Sequence, residues 1–501
     1  MARSGAGVTA LPVAVVLLAV VATVAMHAAA GDGGGKMASH GEGTNLKASS
    51  APVPAGGSAG QFRGQARLPR FAAPRRYELH LRPDLVAFTF SGSVAIAVAV
   101  SASTRFLVLN AADLSVDRAS IRFQALAPTE VVFFKEDDVV VLGFAKPLPL
   151  GEGVLKMDFN GTLNDEMRGF YRSQYQYKGK ARNMAVTQFE PVDARRCFPC
   201  WDEPAFKAKF KLTLEVPSEL VALSNMPIAN TLVAGPIKTV RYQESPLMST
   251  YLVAIVVGLF EYVEGVTSQG TRIRVYTQIG KSSQGKFALD VGVKSLDLYK
   301  DYFGTPYPLP KLDMVAIPDF AAGAMENYGL VTFRDVALLF DDKSSSASSK
   351  QDFLDSTTNA LKLDSLEESH PIEVEIHHAS EVNQIFDAIT YDKGASLIRM
   401  LQSYLGADRF QKALASYIKK YAYSNAKTED LWAVLEKETG EPVKDLMSTW
   451  TKQKGYPVIN AKLKGINMEL DQGLSTHPPQ PAYPETDSSA GEVRDPQAFE
   501  P

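Results

Sequence analysis

The sequence predicts a multidomain chain, with a β-rich first domain followed by a mixed α/β (α+β) domain. Three observations carry this. The 501 residues are 45% hydrophobic and 22% charged, an ordinary globular composition with room for two to four domains. From about residue 70 to 265 the apolar residues alternate with period two. After residue 280 the period becomes helical.

The elements follow in order. Residues 1–30 begin with Arg3 and an apolar run from Val8 to Ala30, ending in Ala28, Ala29 and Ala30. This reads either as a cleaved signal peptide or as a signal-anchor, since the run is long enough to span a bilayer once; a dispensable extension is the third reading. If the segment is used, the chain is anchored or enters the secretory pathway, with membrane association through residues 8–30. Otherwise it is cytoplasmic. Residues 31–66 are rich in Gly, Ser, Ala and Pro and read as a flexible linker. One glycosylation sequon, Asn160-Gly161-Thr162, matters only in the secretory case.

Residues 67–267 form the β domain. Tyr77, Leu79 and Leu81 alternate, as do Phe210, Leu212, Leu214 and Val216, with short apolar runs between turn residues. Residues 268–455 form the mixed domain. Phe287, Val291, Leu298 and Tyr302 stand at helical spacing. "PLPKLDMVAIPDFAAGAMENYGLVTF" reads as two short strands with a loop between. Helices are predicted over 391–405, 408–421, 428–439 and 442–454. Thr428 suits an N-cap and Gly440 a C-terminal cap. Residues 456–501 start as a strand and end in a Pro-rich, acidic tail with no apolar period, which reads as disordered.

The formal charge of −4 offers no basic face for nucleic acid. Cys197 and Cys200 cannot staple a chain this long, and no second C-x-x-C exists to complete a zinc site. They read as small buried residues at a helix or turn start, or as a local redox pair.

Glu326, in "FAAGAMENYGLVTF", has no basic neighbour in sequence. A carboxylate held among small residues at a strand edge suits binding of a cation such as a free amino group. Gln188 and Glu190, two apart on one predicted strand face, offer a second set. By spacing alone, Glu326 as a loop cap and Glu190 as a solvated strand residue is the favoured reading.

Five blocks in order bear on this choice: "QFEPVDARRCFPCWDEPAFKAKF", "SPLMSTYLVAIVVG", "GAMEN", "DAITYDKGASLIRML" and "WTKQKGYPV". Together they resemble the gluzincin zinc aminopeptidases, the family of aminopeptidase N and, closer, the puromycin-sensitive group, over residues 62 to 470. The resemblance implies a saddle-like β N-domain followed by a thermolysin-like catalytic domain, here truncated. It implies that Glu190 and Glu326 bind the amine of a peptide N-terminus with Gln188 beside them. Gly323, Ala324, Met325, Glu326 and Asn327 would line the peptide backbone. Tyr391 would donate a hydrogen bond to the oxyanion, a sensible role for a phenol aimed at developing charge.

The family's zinc set is H-E-x-x-H on one helix plus a Glu on the next. None of the seven histidines here is followed by Glu, and no two lie four apart. The family's flanks meet directly in "SSSASSKQDFLDSTT", so a deletion between Gln351 and Asp352 is expected, as from a skipped exon or imperfect gene assembly. His377 and His378 are the one cluster; adjacent residues on a strand would point to opposite faces. No metal site and no cofactor is therefore expected, although the family uses zinc. The chain is expected to be catalytically impaired or inactive. The alternatives are a non-catalytic binder of peptide N-termini, or a splice product without independent function. The family's further C-terminal domains are expected to give way to the divergent tail. Each apolar side chain left in water by the deletion costs roughly 1.5–3 kcal/mol, against about 5–15 kcal/mol for a whole domain. The second domain is therefore expected to fold less well than the first.

Overall fold

The computed structural model describes residues 57–340, 366, 369–387, 389–464 and 467–474. The signal or anchor segment, the junction at Gln351 and the acidic tail lie outside the described residues. Among those described, no helix is long and apolar enough to cross a membrane. The chain divides into two compact units. One comprises Met1–Lys350, Ile376–Gln384 and Leu405–Lys444; the other comprises Gln351–Glu375, Ile385–Tyr404 and Asp445–Pro501.

The first unit is built on an eight-stranded sheet. Its strands run in the order Ile228–Ala234, Ile237–Tyr242, Lys209–Pro217, Ala72–Asp84, Thr89–Val100, Gly151–Thr162 and Leu114–Val116, with Arg122–Phe123 also pairing with Gly151–Thr162. The predicted alternation is realised. Tyr77, Leu79 and Leu81 are buried, as are Phe210, Leu212, Leu214 and Val216 on the parallel neighbour. Tyr77 stacks on Phe210 with ring centroids 4.8 Å apart. A four-stranded sheet follows the order Val221–Ser224, Ile255–Gly258, Lys180–Gln188 and Gly169–Tyr177.

The expected linker is too long at its C-terminal end. Residues Ala59–Phe62 form a 3-10 turn with Ala59 and Phe62 buried, and the Phe62 ring lies edge-on to Phe71 and Phe106. One aromatic side chain in a Gly-rich run is enough to hold it to a core.

The same unit contains a five-stranded sheet, ordered Glu261–Val266, Arg272–Thr277, Lys311–Ile317, Leu330–Arg334 and Ala324–Met325. Its first strand precedes the boundary expected at 268. Its last, only two residues long, falls inside what the sequence presented as a loop. Helix Lys286–Phe303 spans the predicted stretch, but it buries Ala288, Gly292, Ser295, Leu296, Tyr299 and Phe303. Leu298, expected on the apolar face, is 62% exposed. Small residues let a helix lie close to its sheet. The Gly292 position is tight enough that a Cβ there would meet the Met314 side chain at 2.9 Å. This sets the buried face against the pull of the larger apolar residues.

Helices Ala407–Lys420 and Thr428–Thr439 also belong to this unit. Gly440 ends the second in the left-handed region at φ 75°. Thr428 is the first helical residue rather than the cap. The cap is Lys427, whose backbone N–H donates to the Asp430 carboxylate at 2.9 Å. The acid three residues on accepts the cap residue's own N–H, the half of a capping box that needs no hydroxyl at the cap.

In the second unit, a π-helical turn Ile389–Lys393 leads into helix Gly394–Leu405, one turn later than the predicted start at 391. The predicted strand after 456 is a hairpin, Pro457–Lys464 with Asn467–Leu474. Lys393 donates to the carbonyls of Gln453 and Gly455 at 3.1 and 3.2 Å, and the Glu373 N–H donates to the Thr451 carbonyl.

Candidate functional site

Strand Lys180–Gln188 ends where Pro191 approaches, because proline has no N–H to extend a ladder. Glu190 is therefore not on the strand face with Gln188, as the spacing suggested. It starts a turn closed by the Asp193 N–H on the Phe189 carbonyl at 2.8 Å. This turn rests on a buried ion pair. The Arg195 Nε lies 3.0 Å from the Asp202 carboxylate, with side chains 3% and 1% exposed. The Asp202 N–H donates to the Asn110 side chain, and the Thr250 hydroxyl donates to the Asp202 carboxylate at 2.6 Å. Cys197 and Cys200 are fully buried and unpaired by disulfide, and burial raises both thiols well above their usual pKa. They pack as the small buried residues that the sequence suggested, just after the 3-10 turn Ala194–Arg196.

Glu326 is held from the other side. The short strand Ala324–Met325 pairs with Phe333 and Thr332. The Arg334 backbone N–H donates to the Gly323 carbonyl at 3.0 Å, and its guanidinium donates to the carbonyls of Phe320 and Ala321. Asp319, just before this loop, accepts hydrogen bonds from the Ser173 hydroxyl and the Gln174 N–H on strand Gly169–Tyr177. Gly323 is exposed, Ala324 and Glu326 are half-buried, and Met325 and Asn327 are buried. Asn327 faces inward, its side-chain amide 3.3 Å from the Thr332 hydroxyl.

The electrostatics bring the two carboxylates together. Burial, aided by the Glu326 charge, pushes the Glu190 carboxyl up to about 7. Burial also raises Glu326. Neither has an ion-pair partner among the described residues. The Gln188 amide nitrogen reaches the Glu190 carbonyl at 3.4 Å, while its side-chain oxygen is buried without a hydrogen-bond partner. Two carboxylates thus stand near each other without a cation, the Glu326 carboxylate accepting only its own backbone N–H, and the Gln188 oxygen near Glu190 has no hydrogen-bond partner. A buried carboxylate pair without a cation is costly, and an ammonium group would relieve it.

Tyr251 completes this set and was passed over in the sequence. Burial, then the charges of Glu190 and Glu326, raise its phenol above the usual range. It stands inside the block "SPLMSTYLVAIVVG", but nothing in its residue type or spacing distinguishes it from a core aromatic.

Tyr391 lies in the second unit, on the π-helical turn, and is 61% exposed. Its backbone N–H donates to the Asp387 carbonyl at 3.0 Å, and its ring centroid lies 6.3 Å from that of Phe386. His377 and His378 are not on a strand. They precede the 3-10 helix Ala379–Ile385, and both backbone N–H groups donate to the Glu381 carboxylate. The His378 ring is engaged with the Ser380 hydroxyl at 2.8 Å. Among the described residues no three His, Cys, Asp or Glu side chains gather to hold a metal ion.

Comparison with known proteins supplies the lineage. The peptidase M1 N-terminal domain matches residues 73–252. The peptidase family M1 domain matches in two pieces, residues 287–358 and 348–450. Aminopeptidase M1-C of Oryza sativa subsp. japonica is 72% identical over 475 residues, covering 84% of this chain and 54% of the relative. Aminopeptidase M1 of Arabidopsis thaliana is 59% identical over 471 residues, covering 82% and 54%. Puromycin-sensitive aminopeptidase of Caenorhabditis elegans is 40% identical over 453 residues, covering 78% and 48%. The chain spans about half the length of the curated relatives it matches. The 475-residue alignment uses only 84% of the 501 residues, so it is longer by several dozen positions than the stretch of this chain that it covers. With a β-rich N-terminal domain and a partial catalytic domain in the right order, the chain belongs to peptidase family M1.

Proposed function

We propose that this chain binds the free N-terminus of a peptide without hydrolysing it. The observation that carries the reading is the meeting of the Glu190 and Glu326 carboxylates without a cation, with the unpartnered Gln188 side-chain oxygen near Glu190. An α-ammonium is a donor of three hydrogen bonds and one positive charge, and it satisfies all three. Gly323 to Asn327 would lie along the first peptide unit, with the exposed Gly323 leaving room for the peptide backbone.

The absence of turnover rests on the sequence. Hydrolysis in this family, as the resemblance implies, needs zinc to activate water, and no H-E-x-x-H occurs here. The two-piece family match, breaking at residues 348–358, and the surplus length of the alignments support an internal deletion at that place. Tyr391 would keep its phenol but have no metal-bound intermediate to serve.

Calorimetry of the full chain with a free-amine tripeptide and its N-acetylated twin tests the reading. Binding of the first alone is expected. Equal binding of both, or of neither, refutes it. Stoichiometric zinc with chelator-sensitive turnover of an aminoacyl-naphthylamide refutes the claim of inactivity.

A second reading is favoured by one observation. Phe386, Tyr391, Ile398, Met400 and Tyr404, all within Ile385–Tyr404, are exposed. Apolar faces left open by a deletion would make a splice product whose second unit folds poorly. Long-read transcripts across the codons for Gln351 and Asp352 decide it; transcripts that join the two codons directly would support a splice product, and transcripts that all encode an intervening H-E-x-x-H would trace the deletion to imperfect gene assembly instead.

A further inference from the structure

We propose that Tyr251 is a third member of the amine site, its phenol poised to donate a hydrogen bond to the Glu190–Glu326 pair so that one carboxylate stays ionised to receive the ammonium. This rests on the reading of the site given above.

The placement is carried by a bracket. Tyr251 sits in the 3-10 turn Thr250–Leu252. On one side, the Thr250 hydroxyl donates to the Asp202 carboxylate at 2.6 Å, tying the turn to the segment that supports Glu190. On the other, the Asn225 side-chain amide donates to the Leu252 carbonyl at 2.7 Å, and its oxygen accepts the Ala254 N–H at 2.9 Å. The second hydrogen of the same amide goes to the Tyr328 carbonyl at 2.8 Å, two residues beyond Glu326. One buried amide therefore fixes the turn carrying Tyr251 to the turn carrying Glu326. The approach is close. Gly329 has φ +69°, and a Cβ there would come within 2.2 Å of the Asn225 carbonyl oxygen.

The chemistry follows from what surrounds the phenol. Its titratable neighbours are Glu190 and Glu326. No hydrogen bond to its hydroxyl is present among the described residues. Asp202, on the supporting segment, is already engaged by Arg195 and Thr250. Two adjacent half-buried carboxylates resist double ionisation, so one tends to hold a proton. The other site groups, the Gln188 oxygen included, are acceptors. Tyr251 adds a further donor to that shared proton and to the Glu326 backbone N–H, and such a bond favours the ionised carboxylate. Tyr251 does not react; it positions and charges the groups that bind.

The test compares the full chain with its Tyr251→Phe variant, using a free-amine tripeptide and its N-acetylated twin, from pH about 6 to about 8. Tyr251→Phe is expected to weaken the free-amine peptide about tenfold near neutral pH. It should also move the pH midpoint of binding upward and leave the urea midpoint of unfolding unchanged. An unchanged midpoint and affinity overturn the proposal. So does a loss of affinity that is equal at every pH, because packing alone would produce it. Failure of the unsubstituted chain to prefer the free amine overturns the amine-site reading itself, and the unsubstituted chain shows that separately.

Discussion

The Lys311 ammonium and the Asp313 carboxylate meet at 2.6 Å, both buried, in the strand that supports the Glu326 turn. Residues two apart on a strand share a face, and this pair uses that face for polar groups. Lys311 also donates to the Ser224 and Gly329 carbonyls, each at 2.7 Å. Its three donors are all used, while the second Asp313 oxygen has no partner. Replacing the lysine strands a buried carboxylate. Lys311→Met is expected to lose about 3–5 kcal/mol of stability, read as a lower urea midpoint. Adding Asp313→Leu in the same chain should recover part of the loss, because the uncompensated charge goes with it. A single variant as stable as the parent would contradict this account.

The carboxylate pair gives a pH signature. Folding raises the Glu190 carboxyl to about 7, so the native state holds its proton more tightly than the unfolded chain does. This group's contribution to stability is therefore present at low pH and fades as pH rises from about 4.5 through about 7. Peptide binding runs the other way, because the ammonium needs an ionised acid. Affinity for a free-amine peptide is expected to rise through about 7 and to fall again once the peptide amine itself deprotonates near about 8. Glu190→Gln should flatten the rising limb. Fluorescence anisotropy with a C-terminally labelled peptide reads both limbs, and a pH-independent affinity in the parent chain would count against the assignment.

Gly329 is the position where backbone geometry admits no side chain. Its φ of +69° is in the left-handed region, and a Cβ would overlap the Asn225 carbonyl. Gly329→Ala is expected to cost about 1–3 kcal/mol and to weaken free-amine binding, because the Glu326 turn must move to make room. The thermal midpoint and the calorimetric affinity should fall together. A stable variant with full affinity would show that the turn has slack.

Zinc chemistry can be tested by addition. A helical segment carrying H-E-x-x-H, followed by a helix with a glutamate, inserted between Gln351 and Asp352, is expected to raise the zinc retained by the chain. Elemental analysis after dialysis reads the difference directly. An insertion variant that takes up no zinc would indicate that more than this segment is needed. A parent chain that already holds stoichiometric zinc would overturn the inactive reading.

Much of the fold was legible because local patterns report local structure. Alternation placed Tyr77 and Leu79, and Phe210 and Leu212, on the buried face of paired strands. Gly440 marked its helix end. The misses share a cause. Phe287, Val291 and Leu298 have helical spacing, yet the buried face was decided by how closely Gly292 could approach the sheet. Thr428 lost the cap to Lys427 because Asp430 supplied the acceptor. Glu190 left the strand because of the proline beside it, a signal that was present in the sequence and outweighed by spacing.

By itself the sequence determined the alternating strands, the order of the motif blocks, the family they mark and the absence of H-E-x-x-H, since each is a property of residues close together in the chain. Only the tertiary structure decided that Tyr251 stands beside Glu190 and Glu326, which the family resemblance had already paired, and that Asn225 joins two of their turns with a single amide. These residues are far apart in sequence. Their meeting depends on which strands pair and how tightly the turns pack, and no local periodicity encodes that.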